Sequence, residues 1–361
     1  MSSKVNAKYG ISKLAKREER LAYKLVLPAL IVLALVAFYP LSQVFYASFT
    51  DRTFASARET NFIGFENYKR LFGITIKELP PIIDEETGLQ QIDEFTGELE
   101  FVAPFRILPR NPRYNELSRF NFFGKKYVIG ARDPDFLRSI GNTLTFTFFS
   151  VILETILGMI IALTINSKIK GKGPMRAVML VPWAVITVVS ARMWQWMFFP
   201  TRAGFFNAFF DRIGLTDGST GFLTDVALQM PAIIAVDVWK TTPFMALLIL
   251  AGLQTIPSEI YEAARVDGAS KPRQFFSMTL PLLKPTLAVA LIFRTLDALR
   301  AFDVFHVLLG GRRYSMASYS YFELINNRNM GYSSAIGVVI FFIIFIFAFL
   351  YIRFMGVDKD E

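Results

Sequence analysis

The stretch Glu262-Ala263-Ala264-Arg265-Val266-Asp267-Gly268, followed after nine residues by Met278-Thr279-Leu280-Pro281, decides how this chain is read, because it is a polar, helix-capable segment between two long apolar runs. Pro257-Ser258 leads into Glu259 and Tyr261, so the spacing predicts a helix with Ser258 as its cap and acids in its first turn. Gly268 marks the expected end, and a second helix is expected near Lys271-Pro272, since proline is tolerated at an early helical position. Ala263 and Ala264 offer small side chains for close approach to another protein. An ordinary loop at a membrane surface would have much the same polarity, and at this level both readings stand.

Working outward, the composition sets the solvent. With 53% hydrophobic and 15% aromatic residues in 361, the chain is too apolar for an ordinary water-soluble protein of its length. An α-helix needs about 20 apolar residues to cross roughly 30 Å of hydrocarbon. Six runs qualify, at about 25–49, 139–166, 177–199, 227–253, 286–309 and 334–353. The first follows a basic tail but is longer than the apolar core of a secretory signal, and Tyr46-Ala47-Ser48-Phe49 is a poor cleavage site, so a retained helix is expected.

Lys and Arg in short loops favour the cytoplasmic side. Residues 1–24 hold seven (Lys4, Lys8, Lys13, Lys16, Arg17, Arg20, Lys24), 167–176 hold four and 254–285 hold four, against two in 200–226 and three in 310–333. Both termini and the polar segment are therefore expected in the cytoplasm. The net charge of +9 needs no nucleic-acid partner, because much of the excess sits where anionic lipid attracts it. The absence of cysteine excludes disulfides and thiolate metal sites. The expected division is a basic tail (1–24), a first helix (25–49), an extracytoplasmic loop and insert (50–137), a five-helix core (138–353) containing the cytoplasmic loop 254–285, and a short tail (354–361).

Within the insert, Asn61 to Tyr68 reads as a turn leading into a short amphipathic stretch. Leu99-Glu100-Phe101-Val102 and Lys126-Tyr127-Val128-Ile129 look strand-like, with turns at Thr87-Gly88 and Thr96-Gly97, so a small β-rich subdomain is expected, its rival being a disordered acidic loop. Gly204 to Phe210 suits a helix lying at the interface.

No phosphate-binding Gly-x-x-x-x-Gly-Lys-Ser/Thr loop occurs, the sole histidine is His306, and no His/Asp/Glu spacing forms a metal cage, so catalysis and metal binding by this chain are not expected. The fifth run carries Arg294, Asp297, Arg300, Asp303 and His306, where a central charge costs about 2.5–3.5 kcal/mol. Steps of three allow the pairs Arg294–Asp297, Asp297–Arg300 and Arg300–Asp303; the stripe is either the wall of a polar pathway or a neutralised ladder between helices. In the fourth run Trp239-Lys240-Thr241-Thr242-Pro243-Phe244 breaks the apolar pattern. Pro243 frees a carbonyl near Trp239, and the two aromatics suit stacking on a sugar face. Trp183, Trp194 and Trp196 read as interfacial anchors, and His306 as a structural histidine.

The pattern Glu-Ala-Ala, three residues, Gly, nine residues, Met278, one residue, Leu-Pro resembles the coupling loop of ABC importer permeases. Phe62 to Tyr68, Asn142 to Thr147 and Ala251 to Pro257 are similar to the sugar-permease branch that includes the larger maltose-transporter subunit. The resemblance implies the all-α, six-helix type I permease fold in a prokaryotic inner membrane. It implies import of a sugar, an oligosaccharide or α-glycoside of the maltose, maltodextrin or trehalose kind. The expected partners are a second permease subunit, an ATPase homodimer that uses ATP and Mg, and an extracytoplasmic solute-binding protein; no cofactor is bound by this chain. It implies coupling roles for Glu262, Ala263, Ala264, Asp267, Gly268, Leu280 and Pro281, and pathway roles for Lys240, Thr241, Phe244, Phe293, Leu296, Asp297 and Arg300. Asp297 and Arg300 stand where the maltose subunit has neutral amides, and Leu308-Leu309-Gly310-Gly311-Arg312 lacks the usual threonine and proline. The rivals are a permease for glycerol-3-phosphate or a similar polyol, with Lys240 and Arg300 meeting the anion, and a proton-coupled transporter using Asp297 or Asp303.

Overall fold

The computed structural model describes residues 13–83, 89–92, 97, 99–167 and 170–355. The expected turn at Thr87-Gly88, Thr96 of the second turn, Lys168, residues 1–12 of the basic tail and 356–361 of the final tail lie outside the described residues. Among the described residues, five helices are long and apolar enough to cross a membrane: Arg17–Ala47 (α1), Pro134–Asn166, Val226–Gln254, Lys271–Ala298 and Met330–Arg353. A sixth span is a broken pair, Lys172–Ala184 and Thr187–Met197, bent by 88°. Large apolar side chains such as Phe148, Ile160, Phe345 and Ile346 are more than half exposed, as suits a surface whose solvent is lipid.

After α1 come a short helix, Glu66–Phe72 (α2), and a strand, Ile74–Leu79 (β1). A single helical turn, Pro104–Ile107 (α3), precedes a hairpin of Asn115–Phe122 (β2) and Lys125–Ala131 (β3). The sheet is antiparallel in the order β1-β3-β2, and Phe123 and Gly124 turn the hairpin with positive φ at both positions. Leu79, Leu108 and Val128 form its small core. The β-rich expectation holds for residues 125–131; residues 99–102 make only isolated bridges, Ile92 to Leu99 and Pro81 to Phe101, instead of a strand.

The core begins at Pro134–Asn166 (α4), which Asp133 caps by accepting the Phe136 amide at 3.0 Å. Then follow Lys172–Ala184 (α5), Thr187–Met197 (α6), the short surface helix Phe205–Arg212 (α7) and Val226–Gln254 (α8). The chain ends with Ser258–Val266 (α9), Lys271–Ala298 (α10), Met316–Ile325 (α11) and Met330–Met355 (α12). Helices α4 and α8 pack along each other, which Gly158 allows: a Cβ there would lie 2.9 Å from Met245 Cγ and 3.1 Å from the Ala246 nitrogen.

Two expected spans are corrected. The run at 177–199 is not one helix, because Val185 and Ile186 are extended (ψ 133° and 134°) and turn the chain between α5 and α6. The run at 286–309 is not one helix either. Its helix starts earlier, at Lys271, passes Pro281 through a wider π-helical turn over Phe275–Thr279, and stops at Ala298. There the Ala301 carbonyl is taken by the Ser315 hydroxyl at 2.6 Å rather than by a helical amide. A separate π-helical turn, Phe305–Leu309, holds His306, which stacks on Phe302 with ring centroids 5.0 Å apart.

Candidate functional site

Where α5 breaks, a cavity of about 290 Å³ opens between α8, α10 and the segment after α10. Its lining includes Trp183, Asp237, Lys240, Thr241, Asp297 and Arg300. Four expected pathway residues, Lys240, Thr241, Asp297 and Arg300, therefore share one wall. Phe244 lies beside it, stacked on Trp183 with centroids 5.7 Å apart and ring planes 8° apart. Phe293 and Leu296 are not among the lining residues; Phe293 is 62% exposed and points away from the chain's own core.

The floor of the cavity is a charged cluster that single-residue reading missed. Glu154, buried in α4, receives Nε of Arg294 and also its Nη2, the latter at 2.9 Å. Asp237 of α8 takes Nη2 as well, and Asp297 takes Nη1 at 3.0 Å. Thr241 Oγ1 lies within hydrogen-bond reach of the Glu154 carboxylate and of the Asp237 carbonyl, the latter at 2.6 Å. One guanidinium thus pins α4, α8 and α10 together. Removing one partner of such a buried arrangement costs about 3–5 kcal/mol, because it strands the others without a counter-charge. The signal was present: Glu154 is the one charged residue in its apolar run, and an intramembrane acid calls for a partner.

Of the three ladder pairs expected from spacing, Arg294–Asp297 forms. Asp297–Arg300 and Arg300–Asp303 do not form among the described residues. The helix ends at Ala298, between the members of the first pair and before both members of the second, and Arg300 Nε turns back to the Leu296 carbonyl at 3.2 Å.

Lys240 has a task beside the expected one. Its ammonium donates to the Val185 carbonyl at 2.7 Å and the Trp183 carbonyl at 3.4 Å, the groups left unpaired where α5 breaks. Trp239 does not face the cavity; its ring meets Trp194 edge-on at 5.5 Å. Trp194 is itself buried and stacked on Phe206, so it is a core residue rather than an interfacial anchor.

The polar segment folds as expected into a short helix, a turn and a second helix. Pro257 occupies the cap position and Ser258 the first helical one, correcting the expected cap by one residue. Asp267 donates its amide to the Ala263 carbonyl at 3.0 Å, and Gly268 follows with φ +73°, a conformation that only glycine adopts freely. Glu262 and Ala263 are exposed, with Glu262 3.8 Å from Arg265. Ala264, expected on the outer face, is 1% exposed and packs inward, so the face offered to a partner is Glu262, Ala263, Val266 and Asp267. Tyr261 and Thr279 join their hydroxyls at 3.0 Å, tying this helix to the start of α10. Leu280 packs into the core cluster that includes Leu253 and Leu283, while Pro281 is exposed.

A family profile described as binding-protein-dependent transport system inner membrane component matches residues 154–356. The trehalose/maltose transport system permease protein MalF of Thermococcus litoralis is 36% identical over 97% of this chain and 98% of its own. The sulfoquinovosyl glycerol transport system permease protein SmoG of Agrobacterium fabrum is 33% identical over 92% and 89%. A chain of a bacterial ABC transporter that imports alginate superposes with TM-score 0.68 at 20% identity, covering 97% of this chain and 100% of that one, a likeness of fold. With the six spans and the exposed polar helix already established, the match shows that the chain belongs to the inner-membrane components of binding-protein-dependent transport systems, the permease subunits of ABC importers.

Proposed function

We propose that this chain is one of two permease subunits of an importer that moves an oligosaccharide or α-glycoside inward by ATP-driven alternating access. The observation that carries it is the shared polar wall of Thr241, Asp297 and Arg300 beside the stacked Trp183–Phe244 pair. Aromatic faces and planar hydrogen-bonding groups together suit a sugar ring. Asp297, Arg300 and Phe293 are exposed, as they must be if a second subunit completes the route. The relatives named for trehalose/maltose and sulfoquinovosyl glycerol support the same class of cargo.

In this reading Glu262, Ala263, Asp267, Gly268 and the exposed Pro281 dock on an ATPase dimer that uses ATP and Mg, while the buried Ala264 faces α9 inward and Leu280 anchors α10 in the core. The termini and the docking helix lie in the cytoplasm. A solute-binding protein delivers the sugar to the opposite face. The phosphorylated-polyol alternative loses ground, because Lys240 is committed to backbone carbonyls. Membership of the importer family removes the proton-coupled alternative.

The test is uptake of labelled trehalose and maltose into liposomes containing the permease pair and ATPase, with binding protein on the opposite side. Uptake that needs ATP and binding protein supports the proposal; uptake driven by a pH gradient without ATP refutes it.

A further inference from the structure

Behind the acid that faces the cavity stand two buried acids. We infer that Glu154 and Asp237 are positioning residues for Asp297: through Arg294 they fix its carboxylate at the cavity wall as an acceptor, which commits the site to an uncharged, hydroxyl-bearing ligand. The inference rests on the sugar-importer reading and adds the charge class of the cargo.

The geometry works outward from the core. A guanidinium is planar, with five N–H groups in fixed directions, so holding two of its edges aims the third. Glu154, fully buried, takes the Nε side; Asp237, 7% exposed, takes Nη2; Nη1 is left to reach Asp297 Oδ2 at 3.0 Å. Asp297 is itself 66% exposed, and among the described residues its Oδ1 has no donor. An ionised carboxylate only accepts, so its complement is a ligand hydroxyl.

The charges on the wall point the same way. Of its three cations, Arg294 is committed to three carboxylates and Lys240 to the carbonyls of Trp183 and Val185. Carbonyls leave the Lys240 charge in place, so the wall sets three cations against Asp237, Asp297 and Asp303, with Glu154 behind them, and an anionic ligand meets at least as much repulsion as attraction. A neutral polyol pays no such penalty and can give its hydroxyl protons to Asp297.

The experiment uses the complete reconstituted transporter with saturating sugar-loaded binding protein, and monodeoxy analogues alongside the parent sugar. Glu154→Gln and Asp297→Asn are each expected to lower the uptake rate about tenfold and to lose discrimination against the same deoxy analogue. The double variant should be no worse than Asp297→Asn alone. Additive losses, or a uniform fall for all analogues in Glu154→Gln, overturn the positioning role. If Glu154→Gln does not assemble, Asp237→Asn strips a charge from the same guanidinium and is read the same way. A wild-type transporter that moves a phosphorylated or sulfonated sugar and no uncharged glycoside overturns the charge class while leaving ATP-driven sugar import intact. Absence of ATP-dependent uptake of any sugar sinks the importer reading, and this inference with it.

Discussion

Lys240 of α8 reaches the Val185 carbonyl at 2.7 Å, joining the continuous helix that leads into the polar segment to the broken helix that walls the cavity. Lys240→Met keeps the length and apolar stem but leaves the carbonyls of the break without a donor, a cost of about 1–3 kcal/mol. The expected outcome is a lower thermal unfolding temperature for the purified subunit, together with reduced uptake at unchanged ATPase association. A variant with wild-type stability and uptake would show that water alone satisfies the break.

Gly268 has φ +73°, and no atom lies within 4 Å of the position a Cβ would take. Inside this chain, then, a substitution costs only backbone strain, about 1–2 kcal/mol for an ordinary residue and less for asparagine. Gly268→Asn and Gly268→Val separate strain from contact. Loss of ATPase co-purification in both variants means that the partner packs against this position. Loss in valine alone means that the turn's shape is what matters.

Much of this was legible in the chain, and the failures share one cause. The helix start near Pro257, the stop at Gly268 and four of the five unbroken spans follow from local signals such as caps, prolines and apolar run length. The break at Val185 is met by Lys240, 55 residues away, and the chain just past the stop at Ala298 is met at the Ala301 carbonyl by Ser315, 14 residues further on. The Glu154–Arg294 contact spans 140 residues, and no local spacing rule reaches that far. Ala264 shows the same limit at short range: small size was visible, but which face it takes depends on how α9 lies against the chain.

Tyr319 of α11 donates to Asp133 and approaches Glu323 at 3.2 Å, while Tyr332 of α12 also meets Asp133. Two buried acids are thus held at the end of the core that adjoins the insert, and Arg70 of α2 covers them, 3.9 Å above the Tyr332 ring. Burial and the neighbouring carboxylates push the Tyr319 hydroxyl far above its ordinary pKa, so it stays a neutral donor. Tyr319→Phe removes a charge-assisted bond, worth about 1.5–3 kcal/mol. The expected result is faster hydrogen exchange at the start of α4 and in α11, with the α9 region unaffected; equal exchange in both regions would mean that the network is not a local clamp.

Glu66 of α2 meets Arg132, at the end of the sheet, at 2.9 Å, and Lys69 lies 3.6 Å away. The hydrogen bond and charge of Arg132 hold the Glu66 carboxyl below its ordinary value of 4.5. A lowered folded-state pKa means that the unfolded state binds the proton more readily, so this contribution is fully present above about pH 4.5 and is lost as pH falls through the lowered value. Glu66 is about half exposed, so solvent screening keeps the effect small. The readout is local: the Arg132 amide, bonded to the Gly73 carbonyl at 2.9 Å, should lose protection between pH 6 and pH 3.5 in the wild-type chain. In Glu66→Gln, with no carboxyl to titrate, protection should already be lower at pH 6 and change little once intrinsic exchange rates are divided out. Equal pH sensitivity in both proteins would place the acid-labile contact elsewhere in the sheet.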